Sequence, residues 1–183
     1  MNSPLLELKN INLTVSSFKI HDINISLYSG EVHILMGENG SGKSKLMELI
    51  SGMIQPDSGT IYYEGQVAKP SKPSFHSSNE LIFIQQYSVL LEELSVAENL
   101  YFHQLPYKNK LLRTIDFEKL NKQFLDLINE LNLPIKTQDT VRTLGLAQRQ
   151  MIEFCKAYIS DAKIVILDEP SAILTPSERE LLY

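Results

Sequence analysis

The feature that most constrains the fold of this chain is a glycine-rich stretch that ends in lysine and serine. Residues 37–44 read Gly-Glu-Asn-Gly-Ser-Gly-Lys-Ser, the pattern G-x-x-x-x-G-K-[ST] of a phosphate-binding loop. Glycines let such a backbone approach phosphate oxygens, and the helix after it directs its positive end at them. Apolar residues 32–36 precede the loop, and helical spacing follows at 46–50. The sequence therefore predicts a buried strand, a phosphate loop and a helix, the start of an α/β fold.

The last two residues of the pattern carry the side chains that phosphate chemistry needs. We expect Lys43 to reach the β- and γ-phosphates of a nucleotide and the Ser44 hydroxyl to ligate Mg²⁺. The alternative is an ordinary glycine-rich turn. The strand and helix patterns on either side favour the phosphate loop.

Composition narrows the class of protein further. The chain of 183 residues is 43% hydrophobic and has a net charge of −5, which fits one globular domain and gives no indication of non-specific nucleic-acid binding. Cys155 is its one cysteine, which excludes a disulfide framework and a cysteine cluster for zinc. The sequence contains neither a long apolar run nor the regions of a signal peptide, so we expect a soluble protein in a reducing compartment.

Strand and helix patterns alternate along the chain, as in an α/β sheet. A capping box over 95–98 and an apolar face over 117–131 predict helices, and a helical insertion is expected from about 87 to 150. Residues 65–80 are polar and predict a loop, and a second capping box lies at 175–178. Strands are predicted at 5–15, 22–27, 32–36, 60–63, 81–84 and 163–167, with a further helix at 148–159.

A second chemical pattern lies at the end of the last predicted strand. Four apolar residues at 164–167 are followed by Asp168 and Glu169. A buried strand with this pattern delivers carboxylates to the sheet edge where α/β proteins bind ligands. Asp168 is then placed to hold Mg²⁺, and Glu169 to accept a proton from a water that attacks the γ-phosphate. The alternative is a strand that ends in a solvated acidic turn.

Together these stretches resemble the nucleotide-binding domain of the ABC ATPases. Residues 37–44 match Walker A, 168–175 match Walker B with its catalytic glutamate and D-loop, and Gln86 matches the Q-loop glutamine. The family's signature falls on Leu144, Gly145, Leu146, Ala147 and Gln148. The resemblance covers essentially the whole chain. It is closest to the ATPase subunits of simple-sugar importers of the ribose and galactose type.

The resemblance implies a P-loop NTPase core sheet with an N-terminal antiparallel β-subdomain and a helical subdomain. The ATP-binding core is expected at residues 1–86 and 160–183, and the helical subdomain with the signature helix at about 87–159. The implied cofactors are ATP and Mg²⁺, the metal being held by Ser44, Gln86 and Asp168. The implied nucleotide-binding residues are Gly37, Glu38, Asn39, Gly40, Ser41, Gly42, Lys43, Ser44 and Lys45.

The resemblance also implies a reaction, partners and a location. Glu169 and Gln86 would act in the hydrolysis of ATP to ADP and phosphate, coupled to solute import. The partners would be transmembrane permease subunits and a second nucleotide-binding domain, in a dimer or in tandem, with no nucleic acid. The location would be cytoplasmic, peripheral on the inner face of the cell membrane.

Several residues depart from the family's pattern. Gly145 and Ala147 replace the signature serine and a glycine, so a hydroxyl donor to the γ-phosphate is lost, which should cost about 1.5–3 kcal/mol of binding. Lys45 stands where the family has threonine, and a second cation there either helps binding or crowds the site. Phe18 is a candidate both for stacking on adenine and for the core.

The end of the chain departs as well. The family continues into a further strand and a switch histidine, whereas all four histidines here precede Asp168. We therefore expect a C-terminally incomplete domain that lacks a central strand of its sheet, binds ATP weakly and has negligible turnover. A non-hydrolytic regulatory module and a non-transport ABC ATPase remain as alternatives. A nucleotide kinase is disfavoured, because Q-loop and signature patterns fill the sequence between Lys43 and Asp168.

Overall fold

The computed structural model describes most of the chain as two compact units. The units are Met1–Phe83 with Asp161–Asp168, and Ile84–Ser160 with Glu169–Tyr183. Each unit is described by itself. The described residues are 3–15, 18–68, 81–86, 90–109, 111–136, 139–160, 162–170, 174–176 and 179.

An antiparallel sheet forms the larger part of the first unit. Its strands are β1 (Leu6–Val15), β2 (Phe18–Leu27), β3 (Ser58–Tyr63) and β4 (Gln66–Val67), in the order β2-β1-β3-β4. The strands predicted at 5–15, 22–27 and 60–63 are thus confirmed. The short β4 lies inside the predicted loop, of which residues 69–80 fall outside the described part of the chain.

The alternation of β1 changes phase in the middle of the strand. Leu6 and Leu8 are buried before this point and Ile11 and Leu13 after it. Asn10, between them, has φ 50°, and the pairing with β2 shifts between Leu8 and Ile11. This bulge keeps both halves of the strand facing the core, which strict alternation would not.

Helix α1 (Lys43–Ile50) follows the phosphate loop and packs against this sheet. Its buried Leu46 and Leu49 belong to the same apolar cluster as the β1 leucines. The helix ends where predicted, because Gly52 adopts φ 77° and donates its N–H to the carbonyl of Leu49 at 3.0 Å. A glycine in this left-handed conformation is a common helix stop.

Strands β5 (Leu81–Ile84) and β8 (Ile164–Leu167) pair in a second sheet. Both strands were predicted, but β8 is only half-buried: Val165 is 46% exposed and Leu167 39%. Ile164 and Ile166 join the cluster that holds α1. The strand that precedes Asp168 and the helix that follows the phosphate loop therefore pack in the same core.

The prediction of a buried strand at residues 32–36 is wrong. The segment has no regular secondary structure, and Val32, Ile34 and Met36 are 89%, 80% and 86% exposed. An apolar sequence becomes a strand only when a neighbour satisfies its backbone N–H and C=O groups. None of the strands in the described part of the chain pairs with these residues.

The second unit consists mainly of helices. They are α2 (Val96–Leu100), α3 (Phe117–Glu130) and α4 (Leu146–Ile159), with 3₁₀ turns at Phe102–Gln104 and Val141–Thr143. A hairpin of β6 (Tyr107–Asn109) and β7 (Thr114–Ile115) lies between α2 and α3. Their shared core includes Val96, Leu100, Leu120, Phe124, Leu127, Val141, Leu144, Ile152 and Cys155. Among the described helices, none is long and apolar enough to cross a membrane.

The predicted helix starts in this unit are largely confirmed. The Ser95 hydroxyl accepts the N–H of Glu98 at 3.2 Å, and the Glu98 carboxylate accepts the N–H of Ser95 at 2.9 Å, which completes the capping box. The predicted α3 face is buried at Leu120, Phe124, Leu127 and Ile128. Leu131 is partly buried, and Phe117 is 54% exposed. The second predicted capping box includes Ser177 and Glu178, which lie outside the described residues.

Candidate nucleotide-binding site

The phosphate loop bends through two glycines in left-handed conformations. Gly40 has φ 80° and Gly42 has φ 95°. The loop passes into α1 at once, because the N–H of Leu46 donates to the carbonyl of Gly42 at 2.9 Å. No acidic side chain lies in the first turn of α1, so the positive end of the helix is left for an anion.

The ring of Phe18 lies directly against Gly42. A Cβ added at Gly42 would be 1.9 Å from the Cζ atom of Phe18, so only glycine fits there. Phe18 itself is half-buried and packs on the apolar cluster of the first unit. This placement supports the interpretation of Phe18 as a core residue that also fixes the phosphate loop. Whether it stacks on adenine stays a prediction.

The Lys43 side chain curls back over the loop. Its Nζ donates to the carbonyl oxygens of Gly37 at 2.7 Å and Glu38 at 2.8 Å. Residues 37–40 are exposed, and Lys43 is half-buried. The ammonium is therefore held over a solvent-facing loop by neutral acceptors, and none of the carboxylates that the structure describes forms an ion pair with it. A phosphate would supply that counter-charge.

Ser44 and Asp168 both belong to the first unit and suit a magnesium ion. Ser44 is exposed in the first turn of α1, and Asp168 is only 9% exposed at the end of β8. The Asp168 carboxylate has no recorded hydrogen bond or ion pair to another described side chain. Burial disfavours the charge of a carboxylate, so a cation beside Asp168 would stabilise it. Mg²⁺ commonly uses one or two protein oxygens and completes its shell with phosphates and water.

Lys45 is paired within α1. Its Nζ lies 2.8 and 2.6 Å from the two carboxylate oxygens of Glu48. The sequence left open whether this second lysine helps nucleotide binding or crowds it. In the structure its charge is balanced by Glu48, whereas Lys43 forms no ion pair with a carboxylate in the part of the chain that the structure describes.

Gln86 and Glu169 belong to the second unit, and both are exposed. Glu169 adopts φ 47°, an uncommon conformation for a residue with a side chain. Such strained residues cluster at functional sites. Asp168 directly follows β8 and is buried, whereas Glu169, the next residue, is exposed.

The signature residues form the entry to α4. Leu144 is buried at 7% exposure, whereas Leu146 is 67% exposed. Gly145 is the N-cap, in an extended conformation with φ −68°, and its N–H donates to the Gln148 side-chain oxygen at 3.1 Å. Gln148 also donates to the carbonyl of Pro134 at 3.3 Å. The Gln148 side chain therefore caps its own helix and ties it to the preceding loop.

Arg149 is a residue whose role the sequence did not reveal. Its Nε donates to the carbonyl of Leu144 at 3.2 Å, and its guanidinium lies 2.7 Å from a Glu92 carboxylate oxygen. The hydrogen bond from Arg149 lowers the pKa of Glu92. Arg149, in the first turn of α4, thus fixes the backbone of Leu144, the first signature residue, which lies just before the helix. Its partner lies 57 residues away in sequence, and no local pattern could have indicated it.

These features define a class of protein before any comparison with known ones. A glycine loop on a helix N-terminus, a lysine whose ammonium lies over that loop, and a buried aspartate at a strand end are the parts of a P-loop nucleotide-binding protein. The sequence pattern of the ABC transporter family matches residues 20–172. The chain belongs to that family.

Relatives and solved structures agree with this assignment. The chain is 38% identical over 182 residues to a ribose/galactose/methyl galactoside import ATP-binding protein of Agrobacterium fabrum, covering 99% of this chain and 35% of that protein. It is 39% identical over 163 residues to the ribose import ATP-binding protein RbsA of a Chelativorans species, covering 89% and 31%. It therefore spans about a third of the length of these relatives.

The fold is shared with solved ATP-binding cassettes. The crystal structure of a nucleotide-free ATP-binding cassette from an ABC transporter superposes with a TM-score of 0.77 at 25% identity, covering 98% of this chain and 74% of that one. The expected α/β P-loop NTPase fold of the ABC type is thus confirmed.

Proposed function

We propose that this chain is part of an ATP-binding subunit of an ABC importer that takes up a sugar. The observation that carries the proposal is Lys43, which carbonyl oxygens at 2.7 and 2.8 Å hold over an exposed phosphate loop, with no carboxylate partner among the described residues. The names of the two relatives, which refer to import of ribose, galactose and methyl galactoside, support the sugar. The nucleotide is ATP bound with Mg²⁺.

Each site residue has a defined part in the proposed reaction. Lys43 neutralises charge on the β- and γ-phosphates, and the Ser44 hydroxyl and Asp168 carboxylate hold Mg²⁺. The metal supplies charge stabilisation of the phosphates when bound. Gln86 positions the metal or the attacking water. Glu169 accepts a proton from the attacking water. The water oxygen bonds to the γ-phosphorus while the bond from that phosphorus to the β-phosphate oxygen breaks, which yields ADP and phosphate.

The proposed reaction needs two kinds of partner. Transmembrane permease subunits would respond to ATP binding and hydrolysis, and a second nucleotide-binding domain would place its signature on the γ-phosphate. The exposed Leu146 and Gly145 at the entry to α4 support such a docking face. The location is cytoplasmic, on the inner face of the cell membrane.

We further propose that hydrolysis by this chain is weak. Gly145 and Ala147 offer no hydroxyl to a facing nucleotide, and one lost charge-assisted hydrogen bond removes about 1.5–3 kcal/mol. The same two residues favour the second candidate function, a non-hydrolytic regulatory module that keeps the fold. Glu169 separates the two candidates, because a protein that only binds ATP has no use for this carboxylate.

Steady-state ATP hydrolysis, measured at rising protein concentration, tests the proposal. We expect a low rate that depends on Mg²⁺ and is abolished by Glu169→Gln, whereas ATP binding by that variant is retained. Asp168→Asn should raise the Mg²⁺ concentration that is needed for hydrolysis. Unaltered ATP binding in Lys43→Ala would contradict the proposal. Retained ATP binding with a rate equal in wild type and Glu169→Gln would favour the non-hydrolytic module.

A further inference from the structure

The hairpin between α2 and α3 exposes two leucines at its tip. Leu111 is 91% exposed and Leu112 is 74% exposed. Exposed aliphatic residues are common singly, but two adjacent ones with nearly full exposure indicate a contact surface. Neither residue belongs to the nucleotide site or to the signature.

The hairpin is built to hold this tip in a fixed conformation. The Asn109 side-chain oxygen accepts the N–H groups of Leu111 at 2.9 Å and Leu112 at 3.2 Å. Tyr107 pairs with Ile115 across the strands. At the base, the N–H of Asp116 donates to the carbonyl of Pro106 at 2.7 Å.

The base of the hairpin is fastened to the second unit. Leu105 and Ile115 both pack against its apolar core. The Asp116 carboxylate accepts the N–H of Lys119 at 3.2 Å and so caps α3. The leucines are therefore presented outward from an anchored base.

Basic residues flank the two leucines in the sequence. Residues 105–115 contain Lys108, Lys110 and Arg113 and no aspartate or glutamate, although the chain as a whole has a net charge of −5. Lys108 and Arg113 are exposed, and neither has a recorded ion pair or side-chain hydrogen bond to another residue that the structure describes. Lys110 lies outside the described residues.

We propose that this hairpin tip, residues 107–109 and 111–113, binds the surface of an anionic phospholipid membrane. Leu111 and Leu112 enter the boundary between headgroups and acyl chains, and Lys108 and Arg113 contact the lipid phosphates. Apolar residues flanked by lysine and arginine are the pattern of interfacial membrane contacts. The charge of the tip is complementary to such a surface, whereas the rest of this acidic chain is repelled by it. The contact orients the protein on the membrane beside its proposed permease.

Flotation of the 183-residue chain with lipid vesicles tests this proposal. Protein that is bound to vesicles rises with them, whereas aggregated protein does not. We expect flotation with vesicles of phosphatidylcholine and phosphatidylglycerol, and little with phosphatidylcholine alone. Lys108→Glu with Arg113→Glu should reduce the bound fraction about tenfold, as should Leu111→Ser with Leu112→Ser. High salt should act like the charge reversal.

Matched variants separate the tip from general effects of charge and hydrophobicity. Lys122→Glu with Lys136→Glu makes the same charge change at exposed positions of the same unit, and Leu125→Ser removes a leucine that is 44% exposed on α3. Both should float like wild type, as should Lys43→Ala, since the contact does not need nucleotide. Equal flotation with neutral and anionic vesicles, or no loss in the tip variants, overturns the proposal. Absence of flotation also overturns it.

Discussion

Among the glycines of the phosphate loop, Gly42 tolerates the least change. It combines φ 95° with a ring atom of Phe18 at 1.9 Å from any added Cβ. Gly40 has a similar φ of 80° but nothing within 4 Å of an added Cβ. The two glycines therefore separate backbone strain from collision with the ring.

We expect Gly40→Ala to lower the free energy of unfolding by about 1 kcal/mol through strain alone. Gly42→Ala should add a further loss of about 1–3 kcal/mol, because the Phe18 ring or the loop has to move. Urea unfolding of both variants measures the difference. Phe18→Ala should make the two substitutions cost similar amounts, and equal costs in the presence of Phe18 would show that the ring does not fix the loop.

Gly145 is the opposite case among the glycines. Its extended conformation suits any residue, and the nearest atom to an added Cβ is the Gln148 side-chain oxygen at 3.9 Å. We expect Gly145→Ser to raise the free energy of unfolding by a few tenths of a kcal/mol, since serine is a better N-cap than glycine. ATP-dependent dimerisation, followed by light scattering, should also increase. A destabilised Gly145→Ser variant would show that the entry to α4 cannot accept a side chain.

At the scale of elements, the sequence predicted what local chemistry decides. The capping box at Ser95, the end of α1 at Gly52 and the apolar face of α3 were all foreseen, because caps and periodicity are properties of neighbouring residues. The strand predicted at 32–36 does not form. A strand also depends on a pairing partner, which its own sequence does not specify.

The site shows the same division. The phosphate loop residues were identified from spacing, and the structure forms the loop where they lie. The contact of Phe18 with Gly42, the pairing of Lys45 with Glu48, and the hold of Arg149 on Leu144 were not predicted. The first and third join residues through tertiary packing. The second is local, and a lysine followed three residues later by glutamate could have indicated it.

The link between Arg149 and Glu92 gives α4 a pH-dependent tie to the segment before α2. The pKa of Glu92 is lowered from 4.5 by the hydrogen bond from Arg149. A lowered folded-state pKa means that the stabilisation is present above 4.5 and is lost as the pH falls through the folded value. We expect Arg149→Gln to be less stable than wild type near neutral pH and to approach it in acid. A difference that does not change with pH would show that the ion pair contributes nothing.

At the scale of the whole molecule, each of the two units has its own apolar core. Phe124 is 0% exposed in the second unit, and Cys155 is a buried member of the same cluster. Burial raises the pKa of the Cys155 thiol to about 11, so alkylation of the native protein should be slow. The reaction rate therefore reports opening of this unit.

We expect Phe124→Ala to destabilise the second unit by about 3–5 kcal/mol and to accelerate alkylation of Cys155 strongly. A substitution in the first core, Leu49→Ala, provides the matched comparison. If both variants accelerate alkylation equally, the units unfold as one. If neither does, Cys155 is reached without opening of the core.

The central claim is that residues 37–44 form a nucleotide site in which Lys43 carries the free positive charge. Calorimetric titration of the chain with ATP and Mg²⁺ tests it most directly, with Lys43→Ala as the variant and Lys45→Ala, whose charge Glu48 already balances, as the control. We expect Lys43→Ala to weaken binding by about ten- to a hundredfold and Lys45→Ala to change it little. Equal affinity in wild type and Lys43→Ala would contradict the claim.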